Sequence, residues 1–390
     1  MWPSFLNAFG VFQSYYEKTL DGVTPSDISW IGSVQSFLIM GGNLFTGSVL
    51  DRYGPQPLLL FATVTMPFSC MMTSLTHSYW QVMLAEGVLQ GLALSSSFMA
   101  PMTCVMWWFP DGPKKFASIA ITVSGSSLGG VVWPIIVHAL ITNVGFAWTW
   151  RALGFIFLGL LGTATCLVTS PRHPGLLLQR ERIPRSPHHD LPFLWLELFK
   201  HTPFVLTAVG LFWAWLGLFY IFFYLPSLGA TRGLSPSMQF YCVSILNAAS
   251  VFGRLALPML SIKTGPFNLI TVSMLGSAVV TWCSIATTNA AGVLVLGAFY
   301  GFISGAMISL LAPCGAVVTP DKRRLGTATG QLALCIGVAS LIGSPIDGWI
   351  IDSSAGFDGA AGFSGACLAL GACFAFAARL VINRTLFAAI

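Results

Sequence analysis

The sequence predicts an all-α polytopic membrane protein, with twelve transmembrane helices in two pseudo-symmetric six-helix bundles. Three observations predict this class. Of 390 residues, 55% are hydrophobic and only 8% are charged, against roughly 25% charged in a soluble domain, and mean hydropathy is +0.79. That much apolar surface finds its solvent in lipid. The apolar residues are grouped in twelve runs, each near the ~20 residues that carry a helix across ~30 Å of hydrocarbon. The second half also repeats the punctuation of the first.

The runs lie near 1–17, 27–50, 57–76, 79–108, 116–141, 147–169, 203–228, 238–261, 266–288, 290–318, 326–351 and 361–382. Helices are the expected element, because unpaired backbone groups in lipid cost several kcal/mol each and barrel strands would alternate in polarity. The first run is short and begins at Met1 without a basic leader or small-residue cleavage site. It reads as a retained helix, with a missing amino end as the open alternative. The domains then follow: an amino-terminal bundle over 1–169, a linker over 170–202, a carboxyl-terminal bundle over 203–382 and a tail over 383–390.

The repeat has a nearly constant offset. Gly54-Pro55 maps to Gly265-Pro266, Ala100-Pro101 to Ala312-Pro313, Pro110-Asp111 to Pro320-Asp321 and Pro134 to Pro345. The basic pair Lys114-Lys115 has Arg323-Arg324 as its counterpart. Parallel repeats of this kind belong to transporters that rock two bundles about a central site, and they argue against a seven-helix receptor.

Arginine and lysine set the orientation. With the amino terminus inside, the inside loops and tail hold Arg52, Lys114, Lys115, Arg172, Arg180, Arg182, Arg185, Lys200, Lys263, Lys322, Arg323, Arg324, Arg379 and Arg384; the outside loops hold Lys18 and Arg232. The positive-inside rule places both termini in the cytoplasm. The net charge of +5 is therefore topological rather than a nucleic-acid footprint. The linker stretch Ser170–Pro192 reads as solvated chain, ahead of a metal site at His188-His189-Asp190. The nine cysteines sit almost entirely inside apolar runs without a CxxC pair, so they read as packing residues rather than a disulfide frame or zinc site. The sequon Asn383-Arg384-Thr385 falls in the tail. No cofactor is expected.

Between runs two and three, Asp51 and Arg52 stand beside a turn-forming Gly54-Pro55. Asp51 can sit against the positive amino end of the eleventh helix near Leu325-Gly326-Thr327, while Arg52 anchors at headgroups. Such a contact would latch one conformer and release in the other; a plain topogenic turn is the alternative. Gly47, Asp51, Arg52 and Gly54 match G-x-x-x-D-R-x-G, and here the chain resembles the major facilitator superfamily. Pro55-Gln56-Pro57 departs from the family's further basic residues, and Ile262 replaces the acid in the second half. The resemblance implies the major facilitator fold.

More narrowly, Phe9–Glu17, Ser26–Leu38, Ser124–Ile135 and Phe252–Pro258 are similar to the fungal branch of monocarboxylate-transporter-like proteins. That resemblance implies Arg254 as the substrate arginine, its forked donors suited to a carboxylate. Asn247 and Tyr220 complete the expected substrate set. Animal members carry an acid where Ser250 stands and a lysine near Gly10-Val11-Phe12, so lactate–proton transport is not expected. The alternative for Arg254 is snorkelling to the headgroups.

Ionisable groups within spans are costly and mark pathways. Glu86 is the candidate proton-carrying acid, with pairing to Arg151 as its alternative. Asp347 reads as a wetted helix end ahead of an extracellular gate, and His138 as a packing histidine. The aromatic residues of span seven, Trp213, Trp215, Phe219, Tyr220 and Tyr224, read as lipid-facing ahead of pocket-lining. Gly87/Gly91, Gly125/Gly129 and Gly301/Gly305 allow close helix approach.

The expected function is alternating-access secondary transport of a small organic, carboxylate-bearing or weakly acidic metabolite: efflux of a fungal secondary metabolite, possible coupling to protons, a monomer in the plasma membrane. Import of a monocarboxylate, dicarboxylate or riboflavin-like nutrient is the alternative. An intramembrane enzyme would need convergent nucleophile, base and oxyanion donors, and no such set appears; nor does a phosphate-binding G-x-x-x-x-G-K-[ST] loop.

Overall fold

In the computed structural model, residues 9, 12, 15, 16, 19, 23, 25–109, 113–168, 195–321 and 324–384 are described. Pro110-Asp111, Lys322-Arg323, linker residues 170–194 with His188-His189-Asp190, Thr385 of the sequon and most of the first run lie outside them. Phe9, Phe12, Tyr15 and Tyr16 of that run are helical, as is Thr19 just beyond it.

The second run forms α1 (Pro25–Gly41) and α2 (Asn43–Tyr53), and the third forms α3 (Pro55–Thr73). The fourth begins as α4 (Tyr79–Val82), widens into a π-helical stretch Met83–Gln90 and continues as α5 (Gly91–Trp108). Runs five and six join in α6 (Pro113–Leu167), broken at Gly145, whose φ of 78° is left-handed. After a 3-10 turn at Leu196–Lys200 come α7 (Thr202–Thr231), α8 (Pro236–Thr264), α9 (Pro266–Cys283), α10 (Ala290–Val318), α11 (Leu325–Asp352) and α12 (Gly356–Ile382). Among the described residues nine helical stretches are long and apolar enough to cross a membrane. The second run is not one of them, because the turn at Gly42 divides it into pieces of 17 and 11 residues.

The internal repeat is visible in the backbone. Gly54 (φ 80°) and Gly265 (φ 82°) both end a helix in the left-handed region and hand over to a proline that starts the next. Matched helices also start alike: Ser78 heads α4 through a capping box with Gln81, and the Asn289 side chain accepts from the Gly292 N–H at 2.8 Å to start α10.

Two separate cores correspond to two bundles. One gathers Phe12, Ile28, Trp150 and Phe157; the other Trp215, Phe267, Tyr300 and Leu368. Within the second bundle the helices touch through glycine. A β-carbon on Gly253 would overlap the Phe302 carbonyl, one on Gly301 the Leu246 carbonyl, and one on Gly305 would stand 2.8 Å from the Ser250 carbonyl oxygen. So α8 and α10 pack as one unit. Across the two bundles, α11 lies along α1 and α2, and the first half of α6 lies along α8.

Candidate functional site

The basic end of the molecule, which carries Arg52, Lys114, Lys263 and Arg324, is where the bundles meet. Asp51 is 3% exposed. Its carboxylate accepts from the Gly326 N–H at 2.9 Å, the Thr327 N–H at 2.6 Å and the Thr327 hydroxyl at 2.8 Å. Those amides belong to the first turn of α11, where they are unpaired in the helix and carry its positive dipole end. Glycine makes the approach possible. A β-carbon on Gly47 would overlap the Gly326 carbonyl and one on Gly330 the Asn43 carbonyl, while Gly337 would bring one to 2.7 Å from the Gly41 nitrogen. Met102, Ile119, Val123, Ala312, Ala316 and Leu325, drawn from α5, α6, α10 and α11, form an apolar plug at the same end.

A second contact line joins α6 to α8. The Ser127 and Ser250 hydroxyl oxygens are 3.0 Å apart. One turn further toward the basic end, Arg254 Nη1 donates to the Val123 carbonyl at 3.3 Å and to the Ser126 hydroxyl. Arg254 is 5% exposed and lies ten residues before α8 ends, about 15 Å inside that end at 1.5 Å per residue. It is therefore inside the bundle interface and does not snorkel. Among the described residues its Nε, also buried, has no hydrogen-bond partner. Asn247 shares the same face of α8, two turns away, and donates to the Val243 carbonyl at 2.9 Å.

Tyr220 departs from expectation. Its hydroxyl donates to the Phe357 carbonyl at 3.0 Å, and the ring is 1% exposed in the carboxyl-terminal core. It ties α7 to α12 and is not presented to the bundle interface, since the face of α7 it occupies turns inward to its own bundle. Trp215 is buried in that core too, so it is not lipid-facing. His138 is exposed rather than packed.

Glu86 lies in the π-helical stretch, 1% exposed. It accepts from the Tyr16 hydroxyl at 2.5 Å, and a buried Gln35–Gln90 pair, 2.7 Å, lies a turn away. Widened helix turns of this kind often accompany functional groups. Arg151 is engaged elsewhere, donating to Ser74 at 3.4 Å and covering the Trp148 ring at 5.2 Å. Tyr16 also lines a crevice of about 410 Å³ with Tyr15, Thr19, Ser74, His77 and Phe146, at the end opposite the basic one. Asp347, expected as a wetted helix end, is instead fully buried, because α11 turns that face toward α7, α10 and α12.

Several contributors left no mark in the sequence. Tyr16, Ser126 and Ser127 are polar side chains in apolar runs, and only their partners on distant helices distinguish them. Gly330 does carry a signal: it stands four residues after Gly326, a spacing that allows close helix approach.

The family model described as "Major Facilitator Superfamily" matches residues 3–324. The chain is 37% identical over 355 residues to the "Aspyridones efflux protein apdF" of Emericella nidulans, covering 90% of this chain and 69% of that protein. It is 37% identical over 348 residues to the "Agnestins efflux protein AgnL12" of Paecilomyces divaricatus, covering 89% and 77%. Among solved structures, the fucose transporter FucP in its outward conformation superposes with a TM-score of 0.70 at 11% identity, over 96% of this chain and 97% of that one. The human organic anion transporter MFSD10 gives 0.67 at 15%, over 98% and 90%; both likenesses speak for the fold alone. Two similar helical bundles, clasped at one end by an acid on a helix terminus, are thus the frame of an integral membrane carrier of small molecules and not of an enzyme, and this chain belongs to the Major Facilitator Superfamily.

Proposed function

We propose that this protein exports a small organic anion or weak acid, a fungal secondary metabolite, by proton-coupled alternating access at the plasma membrane. The observation that carries the reading is Arg254: a guanidinium buried in the bundle interface, with one arm lent to the opposite bundle and Nε without a partner among the described residues. A buried cation is costly unless it has an anionic or strongly hydrogen-bonding partner. A carboxylate is the ligand whose geometry suits its fork, as in the monocarboxylate porters the sequence resembles. The efflux names of two relatives support the direction.

In this reading the basic end is cytoplasmic, with both termini on that side, and the conformer closed there faces outward. The moving units are 1–169 and 203–382, with 170–202 as their linker, and one chain suffices. Asp51 holds the closed state, with Gly47 and Gly54 giving the latch its close approach and its turn, and Arg52 anchoring the loop at the headgroups. Cargo entering from the cytoplasm meets Arg254 only after its bonds to Val123 and Ser126 are broken, and as the basic end closes those bonds re-form and release the cargo outward. Asn247 supplies the neighbouring polar contact. Glu86 takes a proton from the outer crevice through the Tyr16 hydroxyl and releases it inside, which drives the return of the empty carrier.

Proteoliposomes with an imposed pH gradient and radiolabelled organic acids test the coupling. Glu86→Gln is expected to abolish gradient-driven accumulation while cargo exchange at equal pH persists. Accumulation by the variant equal to the parent's would remove Glu86 from the mechanism.

A further inference from the structure

A chain with only 13 acidic residues buries a third carboxyl, which the latch and the Glu86 site do not use. Asp347 is fully buried in α11. Its Oδ1 accepts from the Ser364 hydroxyl of α12 at 2.7 Å. Its Oδ2, equally buried, has no hydrogen-bond partner among the described residues. An orphaned buried oxygen calls for a ligand or a proton. An ionised carboxylate in such a place needs a cation, and among the described residues no lysine or arginine pairs with it. The basic group of this region, Arg232, is directed at Asp358, 3.9 Å away near the surface.

The surroundings are hydroxyls. Tyr220 and Tyr224 of α7 and Tyr300 of α10 lie within electrostatic reach, as does Cys367 of α12. Each tyrosine already donates its proton, to Phe357, Ser344 and Leu218 carbonyls at 3.0, 2.9 and 2.6 Å. Tyr220 and Tyr300 are also bonded through their side chains to Ser284 and Thr281; the Tyr224 oxygen remains as the acceptor, which suits an O–H on Asp347 and not a bare carboxylate. Asp352, at the end of the same helix, is the other charged group on α11 near this site. Access is short: Asp347 precedes the helix end by five residues, about 8 Å. Beside it Tyr224 is half-buried, and its hydroxyl passes where a β-carbon of Gly348 would come within 2.7 Å. The bundles therefore match: each holds one acid with one hydroxyl donor, near the end opposite the basic one.

We propose that Asp347 is a second proton-exchange site, loading from that end past Tyr224, so that the carrier takes up one proton in each bundle. The step is a single O–H bond made at Oδ2 with a proton from water and broken on its return; no other bond changes. The proposal rests on the proton-coupled reading, but concerns a different residue, so the two are separable.

The test uses the full chain in lipid, without cargo. Proton uptake after an acid step is measured in weak buffer with a pH dye, and protonated carboxyls are followed by their infrared carbonyl band, which shifts in D2O. Asp347→Asn keeps an acceptor for Ser364 and is expected to lose one such band and roughly half the uptake attributable to the two sites. Glu86→Gln should lose the other half. If Asp347→Asn matches the parent in both measurements, the proposal is overturned, whatever Glu86→Gln does. If Glu86→Gln alone matches the parent, the Glu86 reading falls and the Asp347 site stands. Should Asp347→Asn fail to fold, Ser364→Ala serves: it must displace the pH at which one band titrates and leave the Glu86-dependent band in place, and an unaltered titration overturns the proposal.

Discussion

Arg254→Ala is expected to cut transport of an anionic cargo by ten- to a hundred-fold in proteoliposomes, with little effect on a neutral analogue. Hydrogen bonds to charged groups contribute about 1.5–3 kcal/mol each, and about 1.4 kcal/mol is a factor of ten. One lost carboxylate contact therefore accounts for the lower bound and two for the upper. Arg254→Lys is expected to recover little, because an ammonium offers a point charge where a fork is needed. The same substitution removes a clasp between bundles, since Nη1 holds Val123 and Ser126 of α6. Cysteines introduced at the basic end of Arg254→Ala should label faster than in the parent. Parent-like transport of the anion by Arg254→Ala would dismiss this residue as the carboxylate site.

Asp51→Asn is expected to shift the conformational balance toward the state open at the basic end by a similar factor. The carboxylate accepts three bonds from one helix terminus, at 2.9, 2.6 and 2.8 Å. An asparagine keeps one acceptor oxygen and places an N–H₂ against donors. The helix-terminus charge interaction adds about 0.3–2 kcal/mol in partly buried geometry. The glycine contacts beneath it are untouched, so the bundles still fold and thermal unfolding should change little. The readout is alkylation of single cysteines near Ser48 and near the outer crevice, which should rise at the first and fall at the second. Equal labelling at both faces in parent and variant would leave Asp51 as a topological turn.

Both predictions concern residues whose type was legible in the sequence. The apolar runs are long and the Gly-Pro turns sharp, so the twelve-helix plan follows from hydropathy and repeat alone. Asp51 was readable because a helix start with small residues, Leu325-Gly326-Thr327, offers amides to an anion and stands at the same end. The helix faces were not readable. A span that is apolar all round gives no moment to say which side meets which neighbour. So Asp347, five residues from its helix end, looks wetted in sequence and is buried in fact, and Tyr220 looks like a pocket or lipid-facing residue and serves as a strut to Phe357. Glu86 illustrates the same gap: its partner proved to be Tyr16, on a helix whose contribution could not be separated from that of Arg151 by composition. Only packing between distant helices selects among such candidates.

The central claim is that the two bundles must part at the basic end for cargo to pass. The Ser127 and Ser250 hydroxyls, 3.0 Å apart on α6 and α8, offer the most direct test. With both replaced by cysteine and oxidised, a disulfide needs only a small adjustment of side chains already in contact. Transport by the cross-linked protein is expected to fall to background and to return on reduction, with each single variant active before and after oxidation. Full transport by the quantitatively cross-linked protein would contradict the account, because cargo would then be crossing while the bundles stay joined.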